Sequence, residues 1–365
     1  MAEGGTEGIV RFGVVGCANI ARKLSRAIRL SPNASLVAVG SRTLAKSRRF
    51  LADNGLDPAI VSAYGSYEEV LDDPRVDAVY LPLPTSLHVP WAVSAAGKGK
   101  HVLLEKPTAL CAPDLDAILA ACDAAGVQFM DSTMWMHHPR TAEMRRLLSD
   151  PARFGRLTSV HSNFSFPGDP SFLENDIRVK PDLDALGALG DVGWYCIRSI
   201  LWAADYELPK TAIALRSPVT NTTGVILSCG SSLVWEDGKV ATFHCSFLSH
   251  LTMELSVVGT RGTLRLGDFV IPFDEDSASF TFATDAGFTE LSTGWQPLPS
   301  DHVVNTDLPQ ETRMVMEFSR LVRNIKDSAS KPDKQWPDKT RKTQLVLDAV
   351  KASIEKGFEP VDIVN

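Results

Sequence analysis

The chain has 365 residues, 44% hydrophobic and 22% charged, the mix of an ordinary globular protein but too long for one typical core of about 100 to 150 residues. A formal net charge of -7 supplies no positive field for a polyanion, which excludes a nucleic-acid partner unless a local patch provides one. The nearest stretch, KSRRF at 46–50, reads as the solvated face of a helix.

The six cysteines, Cys17, Cys111, Cys122, Cys196, Cys229 and Cys245, form no CxxC pair and fit a reducing compartment. The polar start MAEGGTEG has neither the basic head nor the apolar core of a signal peptide, and no apolar run approaches the roughly 20 residues of a membrane span. A cytoplasmic protein is expected, so the N-x-S/T matches at Asn33, Asn163 and Asn221 count as chance.

In chain order, VRFGVVG at 10–16 is a short apolar strand closed by glycine, and CANIARKLSRAI continues at helical spacing. LVAVG at 36–40 is a strand, and TLAKSRRFLADNG a helix stopped by Gly55. AVYLPL at 78–83 and HVLL at 101–104 are strands around the helical HVPWAVSAAGKG; PDLDAILAACDAAG and VQFMDS add a helix and a last strand. Alternation at these lengths is the βαβ signature. It predicts a parallel, doubly wound sheet over residues 1–131, with ligands at the carboxyl ends of its strands.

Four stretches lie at such ends. In GVVGCANIA, Gly16, Ala18 and Ala21 occupy the small-residue positions of the dinucleotide fingerprint, with Cys17, Asn19 and Ile20 between them and helix-start amides available to a pyrophosphate. Ala18 stands where the strict pattern has glycine. The next strand ends VGSR, so Ser41 and Arg42 replace the acid that would bind the ribose of NAD, and a hydroxyl with a guanidinium suits the 2'-phosphate of NADP(H).

YLPLPTSLHVPWA is a proline-shaped exit in which Leu83, Pro84 and Thr85 face the cofactor side, with Ser86 beside them. His88 opens the following helix as a cap or packing group, or, on a sharper view, as a proton donor. HVLLEKP then sets Glu105 and Lys106 at the same sheet edge, and Pro107 restricts the direction in which Lys106 departs. Either the charges are simply solvated or the lysine polarises a carbonyl. Glu105 pairs with Lys106 or with a neighbouring loop.

From about residue 132 the texture changes, and 132–365 is predicted as a second domain on an open, mainly antiparallel sheet. TMWMHHPRTAEMRRLLSD leads into FGRLTSVHSNFSF, then TTGVILSCGSSLVW, KVATFHCSFLS, TMELSVVGTRGTLRLG and FVIPF follow as strands. RMVMEFSRLVRNI and TRKTQLVLDAVKASIEKG are helices that cover a sheet face or return to the first domain. His137 and His138 are adjacent, His244 and His250 lie in no compact motif, and HExxH and the phosphate-binding P-loop are absent, so no metal is expected.

In LGALGDVGWYCIRS, Asp191 lies near a helix start with Tyr195 four residues on, a carboxylate and a phenol on one face that can carry a proton beside a cation such as Lys106. The alternative is a helix-end charge with a half-buried tyrosine. Tyr206 and Lys210 match Y-x-x-x-K, but Pro209 between them breaks the helix such a pair needs. Trp135, His138, Phe164 and Arg178 are candidates to line a substrate pocket.

GVVGCANIA, VGSR, YLPLPTSLHVPWA, LLEKP and GALGDVGWY together resemble the glucose-fructose oxidoreductase, inositol dehydrogenase and rhizopine-catabolism (Gfo/Idh/MocA) family, nearest in texture to its dihydrodiol and sugar dehydrogenase branches. The resemblance implies a Rossmann domain plus an open-faced mixed sheet used for dimer contacts, and NAD(P)-dependent hydride transfer at a CH–OH carbon. It also implies Lys106 as the substrate-orienting lysine, Tyr195 as acid and base, Asp191 as substrate-side partner, and a cis bond before Pro107. A nicotinamide-binding sensor or scaffold without turnover is the competing expectation.

Overall fold

The structure is a computed structural model describing residues 8–364; the polar start MAEGGTE lies outside the described residues. The chain divides into two compact units: described residues up to His137 with Leu308–Thr340, and His138–Asp307 with the residues from Arg341 on.

In the first unit β1 (Val10–Val15), α1 (Asn19–Leu30), β2 (Ala34–Gly40), α2 (Leu44–Asp53), β3 (Ser62–Tyr64), α3 (Tyr67–Asp72), β4 (Ala78–Leu81), α4 (His88–Gly97), β5 (His101–Leu104), α5 (Ala112–Ala124) and β6 (Phe129–Asp131) alternate. The strands are parallel in the order β3-β2-β1-β4-β5-β6. Every residue of β4, β5 and β6 is buried, which is why these strands read as unbroken apolar runs. Strand order reverses at β1 and β4, so the crevice at their carboxyl ends is where a doubly wound sheet takes its ligand. The short pair β3 and α3 carried little periodicity; α3 is set by a capping box in which Ser66 and Glu69 satisfy each other's backbone amides.

The second unit contains α6 (Pro139–Leu148), β7 (Leu157–Pro167), α7 (Pro170–Asn175), α8 (Gly187–Ala203), β8 (Thr211–Ala214), β9 (Val219–Thr220), β10 (Ile226–Val234), β11 (Val240–Ser246), β12 (Leu248–Gly259), β13 (Gly262–Leu266), β14 (Ser277–Thr284), β15 (Gly287–Phe288), β16 (Trp295–Gln296) and β17 (Ser300–Asn305). After these come α9 (Gln310–Ser328), α10 (Gln335–Glu355) and β18 (Val361–Asp362). The large sheet runs β17-β14-β13-β12-β7-β11-β10-β8-β18 with β9 on β10. β7 pairs β11 in parallel and the sheet's other ladders are antiparallel, the mainly antiparallel sheet expected from the alternating strands and the mixed sheet the resemblance implies.

Helix α8 packs against β7, β10 and β11, and all of its residues are buried. Its first residue, Gly187, has φ +57, and a Cβ there would lie 2.0 Å from the Ile226 carbonyl oxygen, so only glycine can start the helix so close to β10. Helix α9 belongs to the first unit, where Phe318 meets Phe12 at a ring distance of 5.9 Å and Asn33 donates to the Met316 carbonyl at 3.0 Å.

FVIPF is not a strand. The Asp268 carboxylate just before it accepts the Phe273 amide at 3.0 Å and pairs with the buried Arg140 guanidinium, curling the segment into a turn. Among the described residues no helix is long and apolar enough to cross a membrane.

Candidate active site

The turn between β1 and α1 needs its glycine. Gly16 has φ +117 and donates its amide to the Gly40 carbonyl at 2.9 Å; a Cβ on it would stand 2.9 Å from Leu83 Cδ2. Ala18 is the N-cap of α1 at φ -82 and ψ 164, a conformation open to any residue, so the backbone imposes no glycine where the strict fingerprint has one. No side chain caps this end, its first turn holds no acid, and Ala21 is fully buried where helix meets sheet. Asn19 and Ile20 are the exposed first residues of the helix. This is an open, positively polarised helix end, and it fits a dinucleotide pyrophosphate.

At the end of β2, Ser41 is buried and its amide reaches the Tyr64 carbonyl at 3.4 Å. Arg42 is exposed, and its charge opposes the upward push that burial gives the Tyr67 phenol. Thr43 caps α2 by accepting the Lys46 amide at 3.3 Å. Beside this end runs a groove of about 840 Å³ whose walls include Cys17, Asn19, Arg22, Lys46 and Arg49. Burial raises the Cys17 thiol pKa, while Ser47, Lys46 and Ser41 favour its charged form.

Lys46 and Arg22, which line this groove, are inconspicuous in the sequence, where 46–50 reads as a solvated helix face. The available signal was charge segregation: residues 11–49 carry nine Lys and Arg and no Asp or Glu, in a chain whose net charge is -7.

At the exits of β4 and β5, Leu83 and Thr85 are buried and Pro84 is half-buried. His88 is 1% exposed, with Nε2 2.9 Å from the Leu83 carbonyl oxygen and Nδ1 3.1 Å from that of Thr108. It is therefore a structural group tying two loops, as its helix-start position suggested. Glu105 accepts the hydroxyl of the buried Tyr80 and the Lys106 amide, the latter at 3.1 Å. Tyr80 went unnoticed in the sequence because it lies inside an apolar strand. Lys106 is half-buried, and the Lys106–Pro107 bond is cis, as the resemblance implied.

In the second unit, Asp191 and Tyr195 are both buried on α8, and the Tyr195 ring lies 5.8 Å from that of Phe164. Arg178 pairs through Nε with Asp191 at 3.1 Å and through Nη1 with Asp176 at 3.1 Å. The Asp191 charge, followed by that of Asp176, holds the Arg178 guanidinium pKa above its usual range.

Of the remaining pocket candidates, Trp135 is buried in the first unit, and His138 caps α6 by accepting the Arg140 amide at 2.9 Å. His137 stacks on Trp336 at 4.7 Å. Tyr206 lies beyond the end of α8 with φ +59, so it and Lys210 share no helix. Among the described residues no group of three or more His, Cys, Asp and Glu could hold a metal. The cofactor-side candidates and Lys106 thus come together in the first unit; Asp191, Tyr195, Phe164 and Arg178 come together in the second.

Residues 10–132 match the oxidoreductase family with an NAD-binding Rossmann fold, and residues 141–265 match the Gfo/Idh/MocA C-terminal domain. The chain is 34% identical to D-xylose 1-dehydrogenase (NADP(+)) 2 of Haloferax volcanii over 75% of this chain and 81% of that protein. It is 33% identical to dTDP-3,4-didehydro-2,6-dideoxy-alpha-D-glucose 3-reductase of Streptomyces antibioticus over 70% of this chain and 75% of that one.

The crystal structure of a 3-ketoreductase from Actinomadura kijaniata in complex with NADP and TDP-benzene superposes with a TM-score of 0.80 at 25% identity, covering 94% of this chain and 97% of that one. The glycine turn at a strand-order reversal, the lysine after the fifth strand and these matches lead to one conclusion: the chain belongs to the Gfo/Idh/MocA family and is an NAD(P)-dependent oxidoreductase.

Proposed function

We propose that this oxidoreductase prefers NADP(H) and works on a secondary alcohol or ketone carbon of a sugar, cyclitol or dihydrodiol. The observation that carries the cofactor preference is the basic end of β2: Ser41 and Arg42 stand where an NAD-specific site keeps a carboxylate, and Lys46 and Arg22 line the groove at the adjacent helix ends. Gly16, Cys17, Ala18, Asn19 and Ile20 hold the pyrophosphate, and Ser41 and Arg42 with Lys46 receive the 2'-phosphate. Leu83, Pro84, Thr85, Glu105 and Lys106 form the wall on the nicotinamide side, with His88 buried behind it between the Leu83 and Thr108 carbonyls. The relatives named for D-xylose oxidation and for reduction of a dideoxy sugar support a carbohydrate-like substrate.

When bound, the nicotinamide supplies the hydride donor or acceptor. In the oxidative direction Tyr195 takes the proton of the substrate hydroxyl, and in the reductive direction it returns a proton to the carbonyl oxygen. Lys106 places a positive charge beside that oxygen and stabilises the alkoxide as it develops. Proton transfer of this kind is worth about 100 to 10,000-fold in rate. Asp191, paired with Arg178, accepts a hydrogen bond from a neighbouring substrate hydroxyl. The protein acts in the cytoplasm, where its six free cysteines stay reduced, and assembles as a homodimer or larger homo-oligomer.

Fluorescence titration with NADPH and NADH, followed by NADP+ turnover of D-xylose and a dihydrodiol, tests both halves. NADPH should bind more tightly; tighter NADH binding sinks the cofactor assignment. Lys106→Met should keep the NADPH dissociation constant within a few-fold and lose roughly 100-fold or more in kcat. Unchanged turnover rejects the role of Lys106.

A further inference from the structure

The segment carrying Lys106 is anchored on both sides. Upstream, Glu105 accepts the Tyr80 hydroxyl and the Lys106 amide, and its own amide donates to the Leu81 carbonyl at 3.3 Å. Downstream, Thr108 is fully buried, and its carbonyl oxygen lies 3.1 Å from His88 Nδ1. The other nitrogen of the same ring lies 2.9 Å from the carbonyl oxygen of Leu83, whose side chain stands against Gly16 in the dinucleotide turn. One planar, buried ring therefore spans from the wall of the glycine turn to a point two residues beyond Lys106. An imidazole has no internal torsion, so this span is fixed in length. A strut of flexible side chains would leave the lysine free to drift, and misplacement by about 1 Å can cost on the order of 100-fold in rate.

We propose that His88 is a positioning residue that sets the distance of Lys106 from the bound cofactor by standing between the Leu83 and Thr108 carbonyls, donating to one of them as the neutral ring and to both as the imidazolium. This rests on the role proposed above for Lys106. His88 itself touches neither substrate nor the reacting atoms. Its contribution is made through the lysine, so it disappears when the lysine amine is gone.

The test is a double-mutant cycle on the full chain. His88→Leu keeps the bulk and removes both ring nitrogens; His88→Gln keeps one side-chain amide and serves as the conservative variant. With D-xylose and NADP+, His88→Leu should lower kcat about 30-fold or more, with KM and the NADPH dissociation constant within about five-fold, and His88→Gln should recover part of the loss. In the Lys106→Met background the same change should cost less than about three-fold. Equal losses in both backgrounds, or a loss shared by NADPH affinity, overturn the proposal.

Absence of wild-type turnover across sugar and dihydrodiol substrates would count against the proposed function alone. The bridge is then read by hydrogen exchange: His88→Leu should speed amide exchange at 105–110 about ten-fold while β4 and β5 stay protected. Unchanged exchange there rejects the bridge whether or not a substrate is known.

Discussion

His101 opens β5 and is 6% exposed, and its Nδ1 accepts the Gln128 amide at 2.9 Å. Protonating that nitrogen breaks the bond and sets a cation in a dry place. Burial first, and then the Lys326 charge, hold the pKa down at about 4 against a modest opposing pull from Asp77. The unfolded chain titrates near 6.5, so above that pH both states are neutral and His101 contributes its full stability. As pH falls through 6.5 toward 4, the unfolded state takes up the proton first and stability is lost. Two and a half units of separation cost about 1.4 kcal/mol by pH 5.5 and about 2.5 kcal/mol by pH 4.5.

His101→Asn retains an acceptor for the Gln128 amide without titrating. Urea unfolding of both proteins at pH 7, 5.5 and 4.5 isolates the effect as the difference between them, since every other titrating group is shared. The wild type should lose more than the variant by those amounts. Parallel declines would refute the assignment of His101 as a buried neutral ring.

Gly16→Ala forces a Cβ into Leu83 at positive φ and should weaken NADPH binding by about ten-fold or more in a fluorescence titration, with a smaller loss of thermal stability. Arg140→Met leaves Asp268 buried without its guanidinium and should cost about 3 to 5 kcal/mol in urea unfolding; adding Asp268→Asn, which removes the charge and keeps an acceptor for the Phe273 amide, should restore part of it.

The doubly wound sheet was legible because its strands are covered on both faces, so VRFGVV, AVYL and HVLL needed no partner information to be recognised. Gly16, Arg42 and Lys106 were legible for a related reason: each sits at a strand end, where punctuation and charge interrupt an apolar run. Residues whose partners lie far along the chain were not. Tyr80 reads as one more strand aromatic until Glu105 is placed beside it, and Arg140 as a helix-face charge until Asp268 arrives 128 residues later. FVIPF has the composition of a strand, and only the Arg140–Asp268 pair explains why it turns instead. His138 and Arg178 looked equivalent as polar residues near a pocket; one spends its acceptor on a helix cap and the other joins Asp191.

Helix α8 has no solvent face along its length, and at Gly193 an added Cβ would meet Cys245 Sγ at 3.1 Å. Asp191 and Tyr195 are thus mounted on the part of the second unit least tolerant of change, where altering the chemistry also disturbs the fit against the sheet. The stretch before it, 169–186, is largely exposed or half-exposed and reaches Asp191 through Arg178. A mutagenesis library aimed at a new substrate would be productive in that stretch and nearly sterile along the helix. Variation between homologous enzymes of different specificity should be concentrated in the same place.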